Sequence, residues 1–195
     1  MIRFFDLVLS FLGLVLLSPL FLVISIFILC DSKGGIFFLQ KRVGKNNLDF
    51  RLIKFRTMLP GSDSQGGLTV GASDPRITRA GFILRKFKLD ELPQLVNVLK
   101  GEMSLVGPRP ELPKYTALYT EEQKKVLTVR PGITDIASLE YFDENEILGR
   151  STDPERTYIE QIMPAKLELN RKFLEDPRTG NYFRIIGMTI RKIFS

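Results

Sequence analysis

Residues 4–30 read FFDLVLSFLGLVLLSPLFLVISIFILC, a long apolar stretch in which Asp6 is the only charged residue. Length and composition of this kind are typical of a segment that enters a membrane. A cleaved signal peptide is the competing interpretation. The stretch is too long for the apolar part of such a peptide, however, and residues 30–33 form a poor cleavage site. We therefore predict that residues 1–30 are a retained membrane segment.

Ser18 and Pro19 interrupt this stretch near its middle. Proline removes a backbone donor and clashes with the preceding helical turn, although Ser18 could bond a carbonyl that is freed there. An unbroken helix over residues 4–29 would be about 39 Å long, enough to cross the bilayer, whereas each half alone is too short. Both flanks are basic, with Arg3 before and Lys33 after, and give no crossing direction. A kinked span and a re-entrant helix-break-helix therefore both fit the residues.

The composition excludes several kinds of chemistry. The chain has 195 residues, 28 Lys and Arg, 22 Asp and Glu, a net charge of +6, no histidine and one cysteine. Catalytic triads with histidine, zinc sites built from histidine or cysteine, and a disulfide within the chain are all excluded. Any metal needs oxygen ligands, which favours Mg²⁺.

The rest of the chain predicts an α+β fold, a small and mainly helical domain over residues 31–195 that contains one short β-hairpin. Strands at 36–39 and 48–55 flank the turn at 44–47, and a loop rich in Gly, Ser and Asp follows at 60–75. Helices are predicted at 77–88, at 89–99, after the cap at Thr120, at 154–175 and at 181–194. The last is basic and amphipathic, so it fits either the membrane surface or the core of the domain.

Asp90 and Glu91 are the leading candidates for chemistry. Acids at a helix start complement the helix dipole, which is the ordinary reason to find them there. Arginine and lysine occur nearby in the sequence, however, and a helix N-terminus also suits phosphate. A carboxylate such as Asp90 can hold Mg²⁺ against phosphate oxygens, so the set as a whole suits phosphoryl transfer. The basic candidates for phosphate binding are Lys54, Arg56, Arg85 and Arg109.

Residues 89–95, LDELPQL, and residues 97–111, NVLKGEMSLVGPRPE, strongly resemble the bacterial sugar transferases of the monotopic phosphoglycosyl transferase superfamily. The resemblance covers residues 3 to 134, and the chain length resembles that of minimal members, so no extra amino-terminal membrane helices are expected. Further segments match in order: Ser18-Pro19, FFLQKRVG at 37–44, KFRTM at 54–58, DPRIT at 74–78 and RPGIT at 130–134.

The resemblance implies transfer of a phosphosugar from a UDP-sugar to undecaprenyl phosphate with release of UMP, the first membrane step of glycoconjugate assembly. It implies Asp90 as the nucleophile and as a ligand of Mg²⁺, and Glu91 as an assistant that deprotonates the acceptor. Arg85, Arg109 and, in a further matching segment, Arg130 are implied to bind phosphate. It also favours the re-entrant helix with its bend at Ser18 and Pro19. The catalytic domain would then lie on the cytoplasmic face of the bacterial inner membrane, where a homodimer and downstream glycosyltransferases are conceivable partners.

The match ends after Thr134, where many relatives continue Gly-Trp-Ala-Gln-Val-Asn-Gly-Arg and this chain reads DIASLEYFD at 135–143. The sequence therefore does not identify the sugar. A membrane-anchored binding module and a scaffold for later glycosyltransferases are the competing functions. A nucleic-acid partner is not expected, because basic residues are dispersed among acids rather than clustered in a stripe.

Overall fold

The computed structural model describes residues 1–62, 74–175 and 179–193 and has the predicted α+β fold. The predicted loop at 60–75 therefore lies outside the described residues, apart from its two ends. Two small sheets are present in the described chain: β1 (Phe37–Val43) with β2 (Asp49–Phe55), and β3 (Ser104–Val106) with β4 (Gly132–Thr134). The helices are α1 (Ile2–Leu16), α2 (Ser18–Asp31), α3 (Arg79–Lys86), α4 (Gln94–Lys100), α5 (Pro113–Thr116), α6 (Ile136–Glu140), α7 (Glu144–Gly149), α8 (Pro154–Thr157), α9 (Met163–Glu175) and α10 (Thr179–Ile193).

The apolar stretch forms two helices rather than one. α1 and α2 meet at an angle of 60°. No single helix in the described ranges is both long and apolar enough to cross a membrane, whereas this bent pair meets the criterion when its two helices are taken together. Ser18 Oγ donates a hydrogen bond of 2.8 Å to the carbonyl of Val15, the group that a residue other than proline at position 19 would bond in a continuous helix. The predicted break and the predicted role of Ser18 in it are both confirmed.

The predicted hairpin is confirmed. β1 and β2 pair in antiparallel register, with Phe37 opposite Phe55 and Val43 opposite Asp49. Asn46 and Asn47 close the turn with positive φ values of 56° and 61°, a conformation that asparagine tolerates better than most residues. The second strand carries Lys54 at its end, and this places the lysine beside the start of α4.

Helices begin close to where the sequence predicts, but one helix that was predicted to be continuous is interrupted. Thr78 caps α3 by accepting a hydrogen bond from the amide of Gly81, and Thr120 and Gln123 exchange the reciprocal hydrogen bonds of a capping box. The helix predicted at 89–99 is instead a 3₁₀ turn, Leu89–Glu91, followed by α4. Pro93 separates the two because it lacks the donor that a continuous helix would need.

Pairing of β3 with β4 escaped the sequence analysis, which predicts no strand in either segment. The two strands are parallel, with Ser104 opposite Gly132 and Val106 opposite Thr134. Gly107 and Gly132 lie in direct backbone contact, so a Cβ at Gly132 would overlap the backbone of Gly107. Only glycine allows this approach, and the pairing fixes the point at which the Pro108–Pro110 turn leaves the sheet.

Asp6 attaches the apolar α1 to the rest of the domain. Its side chain is buried, and its Oδ1 accepts hydrogen bonds of 2.9 Å from Ser104 Oγ, the amide of Leu105 and the hydroxyl of Tyr182. Arg3, also on α1, donates to the carbonyls of Val98 and Leu99 at the end of α4. Asp6, the one charged residue of the apolar stretch at 4–30, therefore links α1 to β3 and α10.

α10 has features of both alternatives left open by its sequence. Tyr182 and Ile185 are buried against Val106, and Phe183 packs edge-on against Phe5 of α1. Met188 and Ile190 remain exposed. One face of the helix thus packs on the domain, while apolar side chains on another face lack a protein neighbour to cover them.

We predict that Asp6→Ala lowers the free energy of unfolding by about 2–4 kcal/mol, because three buried donors lose a charged acceptor. Tyr182→Phe removes one donor and should cost about 1 kcal/mol. Asp49→Ala is the matched control, since this exposed carboxylate pairs only with the exposed Lys41. Thermal unfolding of the purified proteins in detergent measures all three. Equal stability of the Asp6 and Asp49 variants would contradict the assigned role of Asp6.

Candidate active site

Asp90 and Glu91 lie at a sharp turn between two helices. Lys88 adopts a left-handed conformation with φ of 54°, which ends α3, and the 3₁₀ turn Leu89–Glu91 then leads into α4. The turn presents both carboxylates to a cavity of about 920 Å³. Side chains from the hairpin, from the Pro108–Pro110 turn and from α6, α9 and α10 complete the walls of this cavity.

Glu91 is held by two cations. Lys54 Nζ lies 2.9 Å from its Oε1, and Arg109 binds both carboxylate oxygens, with Nη1 3.1 Å from Oε2 and Nη2 against Oε1. Burial alone would raise the pKa of Glu91, but Arg109 and Lys54 outweigh it and hold that pKa well below its ordinary value. Glu91 is therefore an ionised group whose two oxygens are already engaged.

The surroundings of the Asp90 carboxylate differ from those of Glu91. It is 7% exposed, and no hydrogen bond or ion pair to its carboxylate is found within the described residues. Burial raises the pKa of Asp90, while Lys54 and Arg85 act in the other direction. A desolvated carboxylate without a partner, adjacent to a paired one, is able to attack an electrophile or to ligate a cation.

Arg85 is the cation that remains available next to Asp90. Its Nε donates a 2.9 Å hydrogen bond to Thr57 Oγ1, which fixes the side chain. Neither of its Nη groups has a hydrogen-bond partner in the part of the chain that the structure describes. Burial lowers the pKa of Arg85, and Asp90 partly opposes this. The two free Nη groups line the cavity and suit the oxygens of a phosphate.

Arg109 is fixed at its backbone as well as at its side chain. Its amide donates a 3.0 Å hydrogen bond to Asp135 Oδ2, and the two flanking prolines restrict the turn. Asp135 is fully buried and also accepts a hydrogen bond from Asn170 Nδ2 at 2.7 Å. The sequence analysis missed Asp135 as a supporting residue. The one feature of the sequence that could have indicated this role is the position of Asp135 as the cap of α6.

Two predicted phosphate-binding residues have other partners. Arg56 donates to the carbonyls of Ile28, Ser32 and Lys33 and so caps the end of α2. Arg130 donates to the carbonyl of Gly101 at 2.9 Å and does not line the cavity. The structure thus brings together Lys54, Arg85, Asp90, Glu91 and Arg109, and it separates Arg130 from them. Phosphate binding by Arg56 and Arg130 stays a prediction to which this geometry lends no support.

A cation at this site would have few protein ligands. Within residues 1–62, 74–175 and 179–193, no group of three or more acidic or cysteine side chains is arranged to hold a metal ion. Asp90 alone offers uncommitted carboxylate oxygens in the dyad. Such a site fits Mg²⁺, which is commonly bound through one or two carboxylates together with the phosphates of a substrate.

The chain is similar to known proteins of one family. The family model for bacterial sugar transferases matches residues 1–195. The chain is 42% identical over 140 residues to a UDP-N-acetylgalactosamine-undecaprenyl-phosphate N-acetylgalactosaminephosphotransferase of Aeromonas hydrophila, covering 70% of this chain and 33% of that protein. It is 44% identical over 144 residues to an undecaprenyl-phosphate glucose phosphotransferase of Komagataeibacter xylinus, covering 70% of this chain and 27% of that protein.

A shorter relative has a similar name and a similar level of identity. The chain is 41% identical over 120 residues to a putative undecaprenyl-phosphate N-acetylgalactosaminyl 1-phosphate transferase of Bacillus subtilis strain 168, covering 62% of this chain and 67% of that protein. The match to the Aeromonas and Komagataeibacter proteins is thus confined to a third or less of their length. Since the family model covers the full sequence given, the chain belongs to the bacterial sugar transferase family.

Proposed function

We propose that the chain transfers a phosphosugar from a UDP-sugar to undecaprenyl phosphate and releases UMP. The observation that carries this proposal is the contrast within the dyad. Glu91 is held between two cations, whereas Asp90 is buried and its carboxylate has no partner among the residues that the structure describes. The relatives' names support the choice of donor and acceptor. The family resemblance supports the reaction.

The reaction proceeds in two displacements at one phosphorus atom. An Asp90 oxygen attacks the β-phosphorus of the UDP-sugar, the bond from that phosphorus to the bridging oxygen breaks, and UMP leaves with the electron pair. A phosphate oxygen of the acceptor then attacks the same phosphorus. The bond to Asp90 breaks, and undecaprenyl diphosphosugar forms while the carboxylate is regenerated. Arg85, with two free Nη groups beside Asp90, binds phosphate oxygens in both steps.

Glu91 orients cations rather than accepting a proton. Its pKa lies well below the ordinary value because Arg109 and Lys54 hold the ionised form. A group of this kind is a weak base. We therefore propose that Glu91 holds Lys54 and Arg109 at the phosphates, which differs from the role of acceptor deprotonation implied by the resemblance.

Mg²⁺ is the metal that we propose for this site, with Asp90 as its protein ligand. When bound, it would neutralise phosphate charge and favour departure of UMP. The fit rests on the free oxygens of Asp90 and on the phosphates that the cationic side chains of the same cavity are proposed to bind.

We propose further that α1 and α2 enter the cytoplasmic leaflet of the inner membrane and return. Apolar side chains are exposed along both helices, including Phe11, Leu16 and Leu22. Leu9 of α1 and Ile186 and Ile190 of α10 line the cavity that contains the dyad, so an apolar path connects the helices to Asp90. A prenyl chain in the leaflet could present its phosphate along this path.

We predict that Asp90→Asn lowers UMP release by more than about 1,000-fold, because the amide removes the nucleophile. The fold should persist, since Asp90 makes no hydrogen bond that the amide would break. Glu91→Gln should lower the rate by about ten- to a hundredfold, through misplacement of Lys54 and Arg109. The assay is UMP release from a panel of UDP-sugars by purified protein with Mg²⁺ and undecaprenyl phosphate. An active Asp90 variant would contradict the mechanism, and a wild-type protein that releases no UMP would favour the binding module.

Arg85→Ala should lower kcat/KM by about ten- to a hundredfold, the cost of one charge-assisted phosphate contact. The melting temperature should change little, because the only side-chain partner lost is Thr57. Arg79→Ala is the matched control on α3, because Arg79 is exposed outside the cavity and should keep the wild-type rate. A lower melting temperature with unchanged activity in the Arg85 variant would show instead that the residue only braces the fold.

Replacing both Ser18 and Pro19 by Leu should straighten the two helices into one of about 39 Å, which can span the bilayer. With Cys30→Ser and Ile2→Cys, the residue at position 2 should resist an impermeant maleimide in spheroplasts when the bend is intact. It should become reactive when the bend is removed. Labelling from outside in the chain with an intact bend would show a true span and would contradict the re-entrant helix.

A further inference from the structure

One wall of the cavity comes from the part of the chain that follows β4. Ser138 on α6, Glu144 on α7, and Lys166 and Asn170 on α9 all line it. We call these four residues the α6–α9 wall. None of them belongs to the five residues gathered around the dyad.

Asp135 joins this wall to Arg109. Its Oδ2 accepts hydrogen bonds from the Arg109 amide at 3.0 Å and from Asn170 Nδ2 at 2.7 Å, and its Oδ1 accepts one from the Ser138 amide. Three residues are thereby arranged around a single carboxylate. Asn170 and Ser138 consequently lie within a few ångströms of each other and of the Arg109 backbone.

Two polar atoms of the wall are left without partners. Asn170 Oδ1 and Ser138 Oγ are buried and have no hydrogen-bond partner in the described chain. Asn170 is only 4% exposed. Its amide orientation is fixed, since the flipped form would turn Oδ1 toward the Asp135 carboxylate. A buried acceptor without a donor is unfavourable and uncommon, and a ligand that brings the donor removes the penalty.

The wall lies next to the dyad. The Phe142 ring, just beyond α6, has Lys88 Nζ 4.8 Å from its centre, and Lys88 comes two residues before Asp90. The Glu144 carboxylate forms a 2.6 Å ion pair with Lys166 Nζ and lies close enough to help to raise the pKa of Arg109. The wall therefore borders the Arg109 side of the place where the phosphates are proposed to bind.

We propose that the α6–α9 wall binds the sugar of the donor, with Asn170 Oδ1 and Ser138 Oγ bonded to hydroxyl or acetamido N–H groups on the ring. This inference rests on the proposed function. In a UDP-sugar the sugar is joined through a single oxygen to the β-phosphorus that Asp90 attacks, whereas the nucleoside is one phosphate further away. The side chains that border the dyad therefore meet the sugar first, and sites built to hydrogen-bond a hydroxyl discriminate well against its absence.

The test is calorimetric binding to the full chain with Asp90→Asn, so that no turnover occurs. The probes are UMP, UDP-glucose, UDP-galactose, UDP-N-acetylglucosamine and UDP-N-acetylgalactosamine. Ser138→Ala removes a hydroxyl that has no partner in the described chain, so the fold should be unaffected and this variant is the decisive one. Asn170→Ala removes the free acceptor together with the Nδ2 donor to Asp135. Ser151→Ala, off the cavity and bonded to Thr157, is the matched control.

In both Ser138→Ala and Asn170→Ala, the affinity for the preferred UDP-sugar should fall by about two- to tenfold relative to the affinities for the other UDP-sugars. The affinity for UMP should be unchanged. An equal loss for UMP would place uracil, whose N3–H is also a donor, at the wall and would overturn the proposal. Unchanged affinities for every probe would overturn it too. If wild-type protein binds UDP-sugars in this pattern but releases no UMP, the transferase proposal fails while the sugar site stands. If the wild-type protein binds none of the UDP-sugars, both the transferase proposal and the proposed sugar site fail.

Discussion

An ionised carboxylate in a protein interior needs partners, and Glu91 meets this requirement with Lys54 and Arg109. The neighbouring Asp90 is buried as well, but its carboxylate has no partner in the described part of the chain. Two adjacent acids of the same charge are thus given different tasks by their surroundings. The paired one holds two cations in place, and the unpaired one keeps its oxygens free for chemistry. Lys54 and Arg109 maintain this difference.

The supports of the dyad extend to the apolar helices. Arg109 depends on Asp135 through its backbone amide, and the turn that carries it leaves the small sheet where Gly107 meets Gly132. β3 of that sheet is held by Asp6 of α1. Arg3 of the same helix caps α4, the helix that follows the dyad. The apolar segment and the site are therefore connected by short chains of hydrogen bonds rather than by a loose linker.

Local patterns in the sequence predicted what local interactions determine. The hairpin, the Thr120 capping box, the position of the dyad at the start of a helix and the break at Pro19 each depend on a few neighbouring residues. The missed features depend on distant contacts. β3 and β4 have three residues each and are separated along the chain, so neither has a recognisable strand pattern. Arg56 resembled a phosphate ligand because its partners, the carbonyls at the end of α2, cannot be identified from sequence. The structural role of Asp6 was missed for the same reason, since its donors are Ser104, Leu105 and Tyr182.

The central claim is that Asp90 carries the phosphosugar between donor and acceptor. The most direct measurement is peptide mass spectrometry after the full chain is incubated with a UDP-sugar and Mg²⁺ in the absence of acceptor. The account predicts a phosphosugar adduct on the peptide at Asp90, formed with one equivalent of UMP and lost when undecaprenyl phosphate is added. An adduct on another residue, or UMP release that requires both substrates and leaves no adduct, would contradict it.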